Sequence, residues 1–98
     1  MAFLVTCTFD LKNASLDDYR KAYSLLERIG LKKAIAADNG NKIVAPTTTT
    51  IGTFTGGSAG AVRDDVRSKV RAAFSSAGFS SEVFVVVGGD WAWGSATT

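Results

Sequence analysis

Leu31-Lys32-Lys33-Ala34-Ile35-Ala36 runs through Ala37 into Asp38-Asn39-Gly40-Asn41, and this stretch decides the fold. A strand of weak pattern over residues 31–36 meets Asn-Gly, a strong hairpin signal because the tight turn needs left-handed backbone at its centre. The sheet is expected to turn back there. Lys42-Ile43-Val44-Ala45 leads to Pro46, which cannot donate to a ladder and so marks a strand entrance or an edge. The returning strand is read over residues 47–54, Thr47-Thr48-Thr49-Thr50-Ile51-Gly52-Thr53-Phe54. Its threonines suit a pleated, half-buried surface, and β-propensity explains them without a hydroxyl cluster for ligands.

Each side of the hairpin carries one helix and one strong strand. Toward the N-terminus, Phe3, Val5, Cys7 and Phe9 alternate with Leu4, Thr6 and Thr8, which predicts a strand over 2–9. Cys7 falls on the greasier side and reads as a small core side chain rather than a reactive thiol. Ser15 is an N-cap with Asp18 at the third helical position, and Asp17 and Asp18 complement the helix dipole. Leu16, Tyr19, Tyr23, Leu26 and Ile29 recur at three- and four-residue steps up to Gly30, so the helix spans 16–29. Toward the C-terminus, Gly56-Gly57-Ser58 opens a second helix over 59–77, with Val62, Val66, Val70, Ala73, Phe74 and Ala77 as its apolar stripe and Gly78 as its stop. Residues 82–87, Glu82-Val83-Phe84-Val85-Val86-Val87, form a further strand, apolar at consecutive positions and therefore expected to be covered on both faces. Trp91-Ala92-Trp93 alternates like a short fifth strand, and 94–98 is a polar tail expected to be flexible.

The order is β-α-β-β-α-β in an α+β domain. Right-handed crossovers then place both helices on one face of a four-stranded antiparallel sheet, the ferredoxin-like two-layer sandwich. At 98 residues, with 46% hydrophobic and 20% charged side chains, one domain with one core fills the chain. A single cysteine rules out an internal disulfide, and the absence of histidine removes the usual zinc sets and every imidazole base. Residue 1 onward shows no basic leader or long apolar run, so a cytoplasmic protein without membrane contact is expected. The net charge of +2 and a pI near 8.9 permit a polyanionic partner without requiring one.

A two-layer sandwich leaves one sheet face bare. Leu4 points to it, and the strand over 82–87 has no polar side. A second copy of the chain is the simplest cover, with Trp91 and Trp93 either joining that contact or folding back on their own core. If Phe3, Val5, Cys7 and Phe9 face the helices, Asp10 shares the parity of Leu4 and leans to the bare face at the strand end. A two-fold axis there would bring two Asp10 side chains together.

Leu4-Val5-Thr6-Cys7-Thr8-Phe9-Asp10, an apolar strand ending in aromatic-Asp, carries a resemblance. So do Leu25-Leu26-Glu27-Arg28-Ile29-Gly30-Leu31, Thr49-Thr50-Ile51-Gly52-Thr53-Phe54 and Val83-Phe84-Val85-Val86-Val87. Together they resemble the small ferredoxin-like nucleases, namely the smaller CRISPR adaptation protein (CRISPR-associated protein two) and the GhoS-type antitoxin endoribonucleases. The resemblance implies a homodimer in which Asp10 is paired across the two-fold and helps bind a divalent metal, Mg²⁺ being the expected ion. It also implies that the Trp91-Ala92-Trp93 segment adds to the partner's sheet. The chain departs from the family in its elaborated hairpin through Asp38 to Pro46 and in a Thr-rich strand that lacks the polar-Ser-aromatic signature.

Paired carboxylates around Mg²⁺ are the one hydrolytic route that needs no histidine, although aspartate at a strand end is also a common turn former. Arg63, Arg67 and Arg71 repeat every four residues with Lys69 nearby, and this ridge suits phosphates of RNA or DNA as well as it suits a solvated helix flank. Asp64 and Asp65 are expected to pair with Arg67 and Lys69. Gly56-Gly57-Ser58 lacks the lysine and spacing of a phosphate loop and reads as a helix entrance. Three functions stay open: a metal-dependent nuclease or nucleic-acid-binding dimer, a non-catalytic dimeric module of a toxin–antitoxin or defence system, and a small-ligand binder, for which a cavity would be needed.

Overall fold

The computed structural model describes residues 1–36 and 40–98. Its elements follow in the order β1 (Ala2–Leu11), α1 (Leu16–Ile29), β2 (Ala34–Ala36), β3 (Lys42–Val44), β4 (Thr49–Thr55), α2 (Ala59–Ser76) and β5 (Ser81–Gly88). The chain is a small α+β protein. β1 lies between β4 and β5 and is antiparallel to both, while β2 and β3 form a separate two-stranded hairpin. The turn signal at Asp38 and Asn39 lies outside the described residues, and Gly40 beside it has a φ of 86°.

Where one four-stranded sheet is expected, the described residues give three paired strands and an isolated bridge. Lys32 and Ile51 exchange both backbone hydrogen bonds, at 2.9 and 2.8 Å, along the outer side of β4. Beyond Lys33 the chain leaves β4 and pairs with residues 42–44 instead. The stretch 31–36 is thus split between two partners, which is why its strand pattern is weak. Pro46 sits just ahead of β4, and its carbonyl accepts from Thr49 N.

Both helices end on the same device. Past α1, Gly30 N–H donates to Glu27 O and Leu31 N–H to Leu26 O, with Gly30 at φ 109°. Past α2, Gly78 N–H donates to Ser75 O and Phe79 N–H to Phe74 O, with Gly78 at φ 80°. This pattern satisfies the last carbonyls and needs left-handed backbone, hence glycine. Each time it also returns an apolar residue onto the helix: Leu31 against buried Leu26, and the Phe79 ring at 5.9 Å from that of Phe74. The N-termini follow the sequence reading, with Ser15 and Asp18 closing a reciprocal capping box and Ser58 Oγ accepting from Ala61 N.

The core lies between the helices and one sheet face. Phe3, Val5, Cys7, Phe9 and Leu11 of β1 meet Ala22 and Leu26 of α1 and Val62, Val66, Val70 and Phe74 of α2. Gly52 of β4 faces this layer because the Gly30 carbonyl docks where its Cβ would stand. Leu16 departs from the expected stripe and is 73% exposed. At about 100° per residue it sits roughly 80° round from Leu26, at the first helical position. Residues 91–93 form no strand, because a strand needs a neighbour and the outer edge of β5 meets none among the described residues.

Candidate functional site

Phe9 N donates to Thr48 O and Lys12 N to Ser80 O. Odd-numbered residues of β1 therefore turn their backbone groups toward β4 and even-numbered ones toward β5. β4 starts at Thr49, opposite Thr8, so β1 overruns it and, among the described residues, Leu11 has no strand partner on that side. Tyr19 of α1 fills the gap, its hydroxyl accepting from Leu11 N and reaching Leu11 O, both at 3.2 Å. The same hydroxyl lies 3.1 Å from Asp10 Oδ1. With one proton to give, it donates to the carbonyl or to the carboxylate, not to both.

Asp10 is exposed at the end of β1 as parity predicts, directly opposite Glu82 of β5. Like charges facing across a ladder repel, and Lys12 offsets this by pairing with Glu82 at 3.4 Å. Asp10 and Glu82 line a shallow concavity with Thr8, Thr48 and Phe84. Mg²⁺ commonly takes one or two carboxylates and fills its octahedron with water and phosphate oxygens. Asp10 and Glu82 match that donor set in type and number, with Lys12 competing for Glu82. No group of three or more carboxylate or thiol ligands occurs among the described residues.

Arg63, Arg67, Arg71 and Lys69 all lie on the exposed side of α2, one step round from the buried Val62, Val66 and Val70. Asp64 Oδ1 accepts from Arg63 Nε at 3.0 Å and from the Arg67 guanidinium at 3.3 Å, and Lys69 meets Asp65 at 3.0 Å. The hydrogen bond from Arg63 first, then the charges of Arg63 and Arg67, hold the Asp64 carboxyl below its ordinary range against the opposing effect of desolvation. Much of the ridge is therefore internally neutralised. Arg71 makes no ion pair among the described residues, and it lines a groove along α2 with Arg67, Ser68 and Ser75. Asp10 belongs to the sheet end and the ridge to the helix layer, so these candidates occupy different concavities.

Cys7 is fully buried, and burial pushes its thiol up to about 11, outweighing the hydrogen-bond contribution of Thr50 that lowers it. It is a core residue. Thr50 is buried too, with its hydroxyl donating to Cys7 O at 3.0 Å, so the one threonine turned inward is satisfied and the run forms no open hydroxyl cluster there.

The helix-free face exposes apolar side chains. Phe84 is 65% and Val86 51% exposed, set beside half-buried Leu4 and Ile51 with threonines between them. Trp91 and Trp93 keep 39% and 37% exposure, so more than half of each side chain is already covered by its own chain. No helix of the described residues is long and apolar enough to cross a membrane. No protein-family model matches this chain, and no curated protein matches it significantly.

Proposed function

We propose that the chain is a ferredoxin-like module that associates with a second copy of itself through its helix-free sheet face. The order β4-β1-β5, with the Lys32 bridge in the position of a fourth strand, supports the fold. The exposure of Phe84 and Val86 on one face carries the association. Magnitudes add a condition. Three strands about 4.8 Å apart and about seven residues of about 3.3 Å each give a footprint of roughly 300 Å², short of the about 800 Å² per partner of an ordinary interface. The segment with Trp91 and Trp93 is the surface that extends it. Sedimentation equilibrium at about 50 µM, far above the Kd of an ordinary interface, is expected to show a dimer, and Phe84→Glu a folded monomer. A wild-type monomer under those conditions removes this reading.

A second reading, nucleic-acid handling, is favoured by the ridge of Arg63, Arg67 and Arg71. Guanidinium groups spaced along a helix position a phosphate backbone of RNA or DNA without reading its sequence. Changing all three to alanine should weaken binding and flatten its salt dependence by about one unit of slope per lost contact. The nuclease form of this reading rests on the resemblance to the small CRISPR and GhoS-type enzymes. There Asp10, with Glu82 beside it, would hold Mg²⁺, which supplies Lewis-acid polarisation of a phosphodiester. Asp10→Asn should abolish Mg²⁺-dependent cleavage and leave binding intact. If wild type neither binds nor cleaves at low salt, self-association alone stands as the function.

A further inference from the structure

A groove of about 510 Å³ opens between α1 and the segment leading into β4, lined by Leu16, Tyr19, Arg20, Tyr23, Lys33 and the Thr47-Thr48 pair. It shares Thr48 with the concavity at Asp10 and no residue with the α2 ridge. Its volume is that of a small-molecule pocket, and such pockets combine an apolar wall with few polar groups. The wall is mostly apolar: two tyrosine rings one helical turn apart and the exposed Leu16 side chain.

Both rings are held in place. Phe9 packs against Tyr19 at 6.1 Å and edge-on against Tyr23 at 5.5 Å between ring centroids. The Tyr19 hydroxyl is fixed by Leu11, and the Tyr23 hydroxyl accepts from Thr48 N at 2.7 Å. Since Tyr23 accepts there, its own proton is left to give, and among the described residues it meets no acceptor. Thr48 is a β-branched residue at φ 62°. That backbone is costly for threonine, and such outliers concentrate at binding sites.

The rim is cationic. Lys33 Nζ stands 5.1 Å from the centroid of the Tyr23 ring, and Arg20 keeps donors beyond the one it gives Asp17 at 3.1 Å. Among the described residues no carboxylate lines the groove, Asp10 meeting the Tyr19 hydroxyl, at 3.1 Å, from the sheet end. A rigid aromatic wall, a free hydroxyl donor and two cations at the mouth suit a flat ring that carries an acid group.

The geometry points to a binding site for a small aromatic anion, its ring against Tyr23 and its acid group on Lys33. A phosphate and a carboxylate share this chemistry, and the probes separate them. Adenosine 5′-monophosphate, 2-naphthoate and uncharged adenosine are titrated into ¹⁵N-labelled protein while the Lys33, Thr47 and Thr48 amides are followed. At least one anion is expected to shift these amides saturably with a Kd below about 1 mM. Adenosine should bind more weakly by about tenfold, as should the anion to Lys33→Ala, the size expected for losing one charged hydrogen bond. Leu16→Glu puts a carboxylate at the mouth where the side chain is already exposed, and it should weaken the anion while the melting midpoint holds. Response to the nucleotide alone assigns a phosphate ligand, and response to naphthoate alone a carboxylate. The site is overturned if no probe shifts these amides at about 5 mM, if adenosine binds as well as its phosphate, or if Lys33→Ala changes nothing.

Discussion

Tyr19 closes the end of β1 with a single hydroxyl. Replacing it with phenylalanine keeps the ring against Phe9 but leaves Leu11 N–H and C=O without a protein partner in a part-buried setting. The cost is expected at about 1–2 kcal/mol, read as a fall of roughly 5–10 °C in the melting midpoint of a domain this size. An unchanged midpoint would mean that water replaces the hydroxyl. At this scale the sequence was partly legible. Ser15 with Asp18 announced its capping box, Asp65 with Lys69 and Asp64 with Arg67 announced their ion pairs, and the burial of Cys7 followed from alternation. The role of Tyr19 was not legible, because it depends on how far β1 overruns β4, a matter of register that no local pattern encodes.

Among the elements, the junction of α1 with the sheet rests on two glycines, each required for a different reason. Gly30 needs its left-handed backbone, and Gly52 needs its missing side chain, since a Cβ there would overlap the Gly30 carbonyl and crowd the Phe54 ring. Gly52→Ala should destabilise the protein by about 1–3 kcal/mol, measured by denaturant titration. Gly57→Ala, where a Cβ meets nothing within 4 Å, should be neutral or slightly stabilising. Equal effects at both positions would show that the helix end can yield. A lone glycine inside a threonine-rich strand signals close backbone approach, so Gly52 was readable in principle, though what approaches it was not. The helices were legible to within a residue because caps and period agree. The stretch 31–36 was not, since a chain dividing itself between two neighbours satisfies neither pattern fully.

For the whole molecule, the bare sheet face and its apolar residues followed from parity and composition, whereas the fate of Trp91 and Trp93 did not. Alternation suggests a strand, but pairing needs an edge to join, and that information lies outside the segment. Removal of residues 91–98 should weaken self-association while the midpoint of a dilute sample holds. A drop in that midpoint would mean that the rings serve their own protomer.

The two margins of the sheet are unequal. Thr49 N and both backbone groups of Ile51 on the β4 side are taken by Pro46 and Lys32, while Val83, Val85 and Val87 on the β5 side face outward with none of their backbone groups bonded among the described residues. Strand addition at such an edge is the first step of fibre growth. Growth needs two adhesive margins, and among the described residues the β4 margin is taken at Thr49 and Ile51 while the β5 margin is bare. Two copies meeting β5 to β5 would make a continuous six-stranded sheet whose outer margins each carry the bonds of Lys32 and Pro46 to β4, so further strands would meet an obstructed edge at either side.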